Sequence, residues 1–221
     1  MQDFVNNGPY DWLKDTALPT LGFKHRNDHV DKLTKRHEVF LKHAESVQDL
    51  LYSHPSAIAY TIFNEGWGQF NADEIYEHLK NRDPNHIYDA TSGWFNMTKS
   101  DLESEHVYFR NKFLHAKDKA LLLSECGGYV YSPDMKSYGY GASKDRTGFM
   151  QRLADLYQKM IYPSIKNGLC GFIFTQITDV ETERNGLYTA DRKLKDIDAE
   201  VLKEANAKCL ELLKPTIEDK I

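Results

Sequence analysis

The ten residues Tyr60-Thr61-Ile62-Phe63-Asn64-Glu65-Gly66-Trp67-Gly68-Gln69 constrain this chain more than any other stretch. An apolar run from Ala57 to Phe63, rich in Ile, Tyr, Thr and Phe and bounded upstream by Pro55, stops abruptly at an amide and a carboxylate. The run reads as a buried strand, although periodicity alone leaves a helix segment of that length open. Asn64 offers an amide that can hold a ligand hydroxyl, Glu65 a carboxyl for proton transfer, and Trp67 a flat apolar face carrying one donor. Taken alone, Asn-Glu fits equally a capping amide beside a solvated acid.

A second stretch repeats the pattern. Ala120-Leu121-Leu122-Leu123-Ser124-Glu125-Cys126-Gly127-Gly128 is again an apolar run that delivers a glutamate at its C-terminal end, followed by glycines that let the backbone approach a ligand. Two parallel strands ending this way place both carboxylates on one face of a sheet, the face where α/β folds bind ligands. Paired carboxylates are what glycoside hydrolysis requires.

Between and around these stretches, helical and strand patterns alternate. Helices are predicted from Val30 to Tyr52, from Ala72 to Lys80, from Arg146 until Pro163, and from Asp198 until Pro215. Strands are predicted at Ile87–Thr91, at Glu105–Phe109 and at Gly171–Thr175, the first leading into Ser92-Gly93-Trp94. Residues 1 to 29 read as loop, with a turn at Asn6-Asn7-Gly8-Pro9 and a helix cap at Asn27 or Asp28. No linker or repeat interrupts the pattern, so residues 1–221 read as one domain of parallel α/β class. No glycine-rich phosphate loop opens a helix, and several strands end in polar or aromatic residues, which favours a (β/α)8 TIM-type barrel over an open doubly wound sheet.

Composition excludes some functions. A net charge of −5 leaves no basic footprint for nucleic acid. No stretch is long and apolar enough to span a membrane, and no signal peptide is visible. Three widely spaced cysteines, Cys126, Cys170 and Cys209, argue against a disulfide framework or a zinc site and point to a reducing, cytoplasmic setting. Cys126 beside Glu125 raises a thiol nucleophile as an alternative, but no histidine partner is signalled nearby. Neither a cofactor nor a metal is expected.

Phe63-Asn64-Glu65-Gly66-Trp67, Ser124-Glu125-Cys126-Gly127-Gly128 and Gly171-Phe172-Ile173-Phe174-Thr175-Gln176 resemble the catalytic barrel of glycoside hydrolase family 2, which includes β-galactosidases, β-glucuronidases and β-mannosidases. The tail from Asp179-Val180-Glu181 through Asn185-Gly186-Leu187-Tyr188 to Asp191-Arg192-Lys193 is similar as well, and Met1 to Asn7 resembles the end of the third barrel strand. The resemblance implies a retaining β-glycosidase acting on a carbohydrate, with Glu65 as acid/base and Glu125 as nucleophile. Asn64, Trp67, Trp94, His106 and Tyr108 would contact the substrate or its nucleophile, Asn64 holding the sugar 2-hydroxyl and Tyr108 bonding Glu125. It also implies that the chain is the C-terminal portion of the barrel, without its first strands or the β-sandwich domains that precede it, and that exposed strand edges drive homo-oligomerisation. Three positions depart from the family: Cys126 replaces an aromatic residue, Thr175-Gln176 replace a tryptophan, and Glu183-Arg184-Asn185 replace the Asn-x-Lys pair of glucuronidases. The last departure implies a substrate other than a uronic acid. The alternatives are a catalytically inactive barrel fragment and a carbohydrate-binding protein that keeps its tryptophans without reaction.

Overall fold

A computed structural model describes residues 1–5, 8, 13, 17–18, 34–95, 97–131 and 139–218. The turn at Asn6 to Pro9, the cap at Asn27 or Asp28 and much of the loop after Tyr131 lie outside the described residues, wholly or in part. The chain divides into two compact units, Met1–Glu105 and His106–Ile221.

The first unit is built on a parallel three-stranded sheet of order β1-β2-β3, formed by Gln2–Asp3, Ala59–Asn64 and Ile87–Ser92. Its central strand β2 is buried up to Phe63, which explains its unbroken apolar run: a parallel strand covered on both faces does not alternate. Helices α1 (Thr34–Leu51) and α2 (Ala72–Arg82) supply the remaining core. That core is aromatic. Phe40 stacks on Phe63 with ring centroids 5.0 Å apart, Phe4 on Tyr60 at 5.4 Å, and Phe70 meets Phe63 edge-on at 5.5 Å. Gln48 sits on the buried stripe of α1, where its amide donates to the Leu79 carbonyl (2.9 Å) and the Tyr88 hydroxyl (2.6 Å).

The second unit carries a sheet of order β4-β5-β8. It is entered through His106 and Val107, the last residues of β4 (Leu102–Val107), and continues with β5 (Ala120–Gly127) and β8 (Leu169–Thr175). β5 and β8 run parallel in the register Cys126↔Phe174 and Gly127↔Thr175. Two short strands, β6 (Val130–Tyr131) and β7 (Ala142–Ser143), form a separate pair. Helix α3 (Arg146–Leu156), capped by Asp145 accepting from the Gly148 amide at 2.8 Å, contributes Phe149 and Leu153 to a mostly aliphatic core that includes Leu121 and Leu123 of β5. The unit ends in α5 (Ala199–Glu218).

Three boundaries differ from the sequence reading. Pro163 does not stop its helix: a π-turn at Tyr157–Ile161 leads directly into α4, Tyr162–Ile165. The Tyr162 amide reaches back five residues to the Tyr157 carbonyl, and this widened turn accommodates a residue without an N–H. Helix α5 runs on past Pro215 to Glu218; a proline in the last turn removes one donor without ending the coil. Strand β4 lies at Leu102–Val107 rather than Glu105–Phe109. Its first half, Leu-Glu-Ser-Glu, has no apolar pattern and is fastened by side chains, with Ser104 Oγ donating to Asp89 Oδ1 at 3.0 Å.

The architecture is therefore α/β with parallel sheets. Both larger sheets are small and open, and the described pairings do not close a barrel.

Candidate active site

In the first unit, β2 ends at Asn64, and Glu65 then takes a left-handed backbone conformation (φ 51°). The turn is held by main-chain bonds: the Glu65 amide donates to the Ser92 carbonyl at 2.9 Å, and the Trp67 amide to the Asn64 carbonyl at 3.0 Å. Gly66 (φ 75°) is required by both conformation and space, because a Cβ there would lie 2.3 Å from the Phe95 ring. Gln69, buried, donates to the Phe95 carbonyl at 3.3 Å. The parallel register Asn64↔Ser92 sets Gly93-Trp94-Phe95 beside this turn. Asn64, Glu65, Trp67 and Trp94 thus share the adjoining C-terminal ends of β2 and β3. Glu65 is 6% exposed and Trp94 8%, while Asn64 and Trp67 are half-buried.

In the second unit, Glu125 lies within β5, two residues before the strand ends. The Tyr108 hydroxyl, just beyond β4, donates to Glu125 Oε2, and His106 Nδ1 stands 3.5 Å from the same oxygen. The His106 side chain is fully buried, whereas that of Glu125 keeps 24% of its surface open. Gly127 (φ 84°) follows, and a Cβ there would meet the Phe174 ring at 2.3 Å. Cys126 turns the other way, as alternation along a strand requires. Its thiol is buried and faces the Ile173 carbonyl at 3.4 Å. Burial first, and the charge of Glu125 second, push this thiol up to about 12, so it stays protonated and is no nucleophile at neutral pH.

The loop after β8 is anchored on buried Asp179. Its Oδ1 accepts from the Gly186 amide at 2.9 Å and from Lys195 Nζ at 2.8 Å, and Arg184 Nη1 lies 3.9 Å from Oδ2. Gln176, the first residue beyond β8, donates to Glu183 Oε2 at 3.0 Å and to Asn185 Oδ1 at 2.8 Å. The basic side chains Arg184 and Lys195 are thereby directed at Asp179, and Lys195 also donates to the Arg184 carbonyl at 2.9 Å.

Of the candidate residues, the first unit holds Asn64, Glu65, Trp67 and Trp94, and the second brings His106 and Tyr108 onto Glu125. Sequence reasoning passed over Phe95 and Phe174, the rings that demand glycine at 66 and 127, and over Tyr140. Tyr140 stacks on Tyr108 with centroids 3.7 Å apart and planes 11° from parallel. Its signal was an aromatic residue between two glycines, Gly139 and Gly141.

No family model matches the chain, and no curated protein matches its sequence. Solved structures do match in fold. A β-galacturonidase of family GH2 from Eisenbergiella tayi, bound to galacturonate, is similar with a TM-score of 0.53 and 16% identity, over 76% of this chain and 36% of that one. A β-glucuronidase from Bacteroides uniformis gives a TM-score of 0.53 and 13% identity over 88% of this chain and 30% of that one. A β-glucuronidase from an uncultured Clostridium sp. gives 0.52 and 10% over 96% and 44%. The fold is GH2-like. The chain spans between 30% and 44% of the length of these three structures.

Proposed function

We propose that this chain carries the catalytic residues of a retaining β-glycosidase of the family 2 type, its strands belonging to a (β/α)8 barrel. The observation that carries the reading is the setting of Glu125: a carboxylate at the C-terminal end of a parallel strand, open to solvent on one side and gripped by the Tyr108 hydroxyl on the other. A nucleophilic carboxylate needs this combination. It must stay ionised, which a donated hydrogen bond favours, and it must be aimed at one atom. The likeness in fold to β-glucuronidases and a β-galacturonidase supports the same class of chemistry.

In the proposed reaction Glu125 attacks the anomeric carbon while protonated Glu65 donates to the leaving oxygen. Glu65 then takes a proton from the water that hydrolyses the glycosyl ester, a sequence that calls for carboxyls roughly 5–5.5 Å apart. The sugar is a neutral one. In the loop after β8, Arg184 and Lys195 are engaged by Asp179, and the carboxylate of Glu183 accepts from the Gln176 amide. A uronate carboxylate brought there would face like charge, and a hydroxyl would not.

An activated 2-deoxy-2-fluoro β-galactoside or β-glucoside tests the assignment. The expected result is a stable adduct on the peptide containing Glu125, absent from Glu125→Gln. Labelling of any other carboxylate would overturn it.

A further inference from the structure

We propose that Tyr140 is a positioning residue for this reaction: stacked on Tyr108, it holds the Tyr108 hydroxyl in the direction from which it donates to Glu125. The inference rests on the reading of Glu125 as nucleophile and extends it to a residue that touches no reacting atom.

The geometry is built from three sides. The Tyr140 ring lies flat on Tyr108, 3.7 Å between centroids, and receives the edge of Phe109 at 5.4 Å and 78°. Its backbone is fastened next to the nucleophile strand, because the Tyr140 amide donates to the Gly128 carbonyl at 2.8 Å and the Val130 amide to the Gly141 carbonyl at 2.9 Å. Room for the stack comes from Gly128, where a Cβ would lie 2.5 Å from Tyr140 Cδ2 and 3.4 Å from Tyr108 Cδ1. Gly128 (φ 63°) follows Glu125 by three residues, so one short segment carries the nucleophile and also leaves the space in which its partner is clamped.

The clamp has a physical purpose. Tyr108 lies just past the end of β4, outside the ladder, and its only other aromatic contact among the described residues is His106, edge-on at 6.3 Å. A tyrosine ring turns readily about its first two side-chain torsions unless its faces are covered. Covering one face with a second ring fixes the plane and so the line of the O–H. Orientation matters here because a charge-assisted bond weakens steeply as its angle falls.

The test is a double-mutant cycle in the full-length protein with aryl β-galactosides or β-glucosides as substrates. Tyr140→Leu keeps bulk but removes the flat ring, and should lower kcat about 10- to 100-fold with KM changed less than about threefold. Tyr140→Phe restores the ring and should restore kcat. In a Tyr108→Phe background Tyr140→Leu should cost less than about twofold more, because its target bond is already gone. An equal loss in both backgrounds would overturn the inference, since it would mean a structural role independent of Tyr108. If Tyr140→Leu does not fold, Gly128→Ala, which drives a methyl against the Tyr140 ring, is read in the same cycle. Tyrosine labelled with 13C at Cζ separates this proposal from the assignment of Glu125. The Tyr108 resonance, identified by its disappearance in Tyr108→Phe, should respond to Glu125→Gln in the wild type and in Tyr140→Phe, and should lose most of that response in Tyr140→Leu, a difference in which the ring-current effect of position 140 cancels. That outcome upholds the clamp even if no glycoside is turned over, a failure that would count against Glu125 as nucleophile. A response to Glu125→Gln of equal size in Tyr140→Leu would overturn the clamp whatever the activity.

Discussion

The two glutamate-bearing strand ends look alike in sequence and are built differently. In the first unit Glu65 has left the strand, sits in a left-handed conformation, and is placed by the main chain around it: the bond to Ser92, the turn closed onto Asn64, and Gly66 pressed on Phe95. In the second unit Glu125 is still in the strand, and side chains from elsewhere, Tyr108 and His106, aim it. Their cores differ in the same sense. The first is a stack of aromatic rings around a buried central strand, and the second is mostly aliphatic around β5, with Tyr129, Phe149 and Tyr157 among its members, and with β8 half-exposed along its length. A group placed by backbone geometry is rigid but cannot be tuned without changing the turn. A group placed by side-chain donors can be adjusted one partner at a time, which suits a nucleophile whose charge must be held and then released.

The largest effects separate the two acids by role. On the proposed mechanism, Glu125→Gln in the full-length protein should abolish turnover of all glycosides, since nothing else forms the ester. Glu65→Gln should slow unactivated aryl glycosides about 10²–10⁴-fold while sparing glycosides with very acidic leaving groups in the first step. Equal loss on both substrate types in Glu65→Gln would refute the acid/base role.

The next test addresses how each acid is held. Tyr108→Phe should reduce kcat about 10- to 100-fold with little change in melting temperature, as expected for one charge-assisted bond in a folded protein. Gly66→Ala should reduce both, because it forces a side chain into left-handed space against Phe95, at a cost of about 1–3 kcal/mol. Comparing activity with calorimetric melting decides it: a Gly66→Ala protein of unchanged stability would show that the turn is not rigid.

A smaller effect belongs to the first unit alone. Burial works against ionisation of Asp101. Bonds from Lys80 (2.9 Å), Tyr76 (2.7 Å) and the Tyr88 amide (2.8 Å) outweigh it and hold the carboxyl below its usual range. With the folded value depressed, the stabilisation is complete above the unfolded pKa of about 3.9 and is lost as pH falls through the folded value. Asp101→Asn should therefore cost about 1–3 kcal/mol at pH 7, and the gap from wild type should close on acidification below about pH 4. Denaturant titrations at pH 7 and pH 3 measure this, and a gap that widens in acid would contradict it.

The smallest expected signal concerns the thiols of the second unit. Cys170 of β8 is exposed, with its thiol donating to the Leu121 carbonyl at 3.0 Å, whereas Cys126 and Cys209 are buried. Burial raises all three, Cys126 to about 12, so alkylation at pH 8 should modify Cys170 first and the other two only on unfolding. Peptide mapping after brief treatment would read it, and early loss of Cys126 would mean that β5 opens locally.

Sequence by itself determined the strands that carry short apolar or β-favouring runs, since β2, β3, β5 and β8 announce themselves by such runs and their parallel order by the helices between the strands. It also pointed to the candidate site, because Asn64-Glu65-Gly66 and Glu125-Cys126-Gly127 set carboxylates beside glycines at strand ends, a pattern that core packing does not ask for. Local rules misled where a long-range partner replaced a local signal. The first half of β4 is fastened by Ser104 on Asp89 instead of by an apolar stripe, and the π-turn before Pro163 appears only in the backbone bonds around it. The family resemblance named Tyr108 as the partner of Glu125, and the structure makes that bond; only tertiary structure decided what holds Tyr108. Tyr108 stands 17 residues away in sequence from its carboxylate partner, and Tyr140 reaches Tyr108 through a loop that carries no periodicity. Contacts of that kind depend on the register of β5 and on the space left at Gly128, and neither quantity is written in any local stretch of the chain.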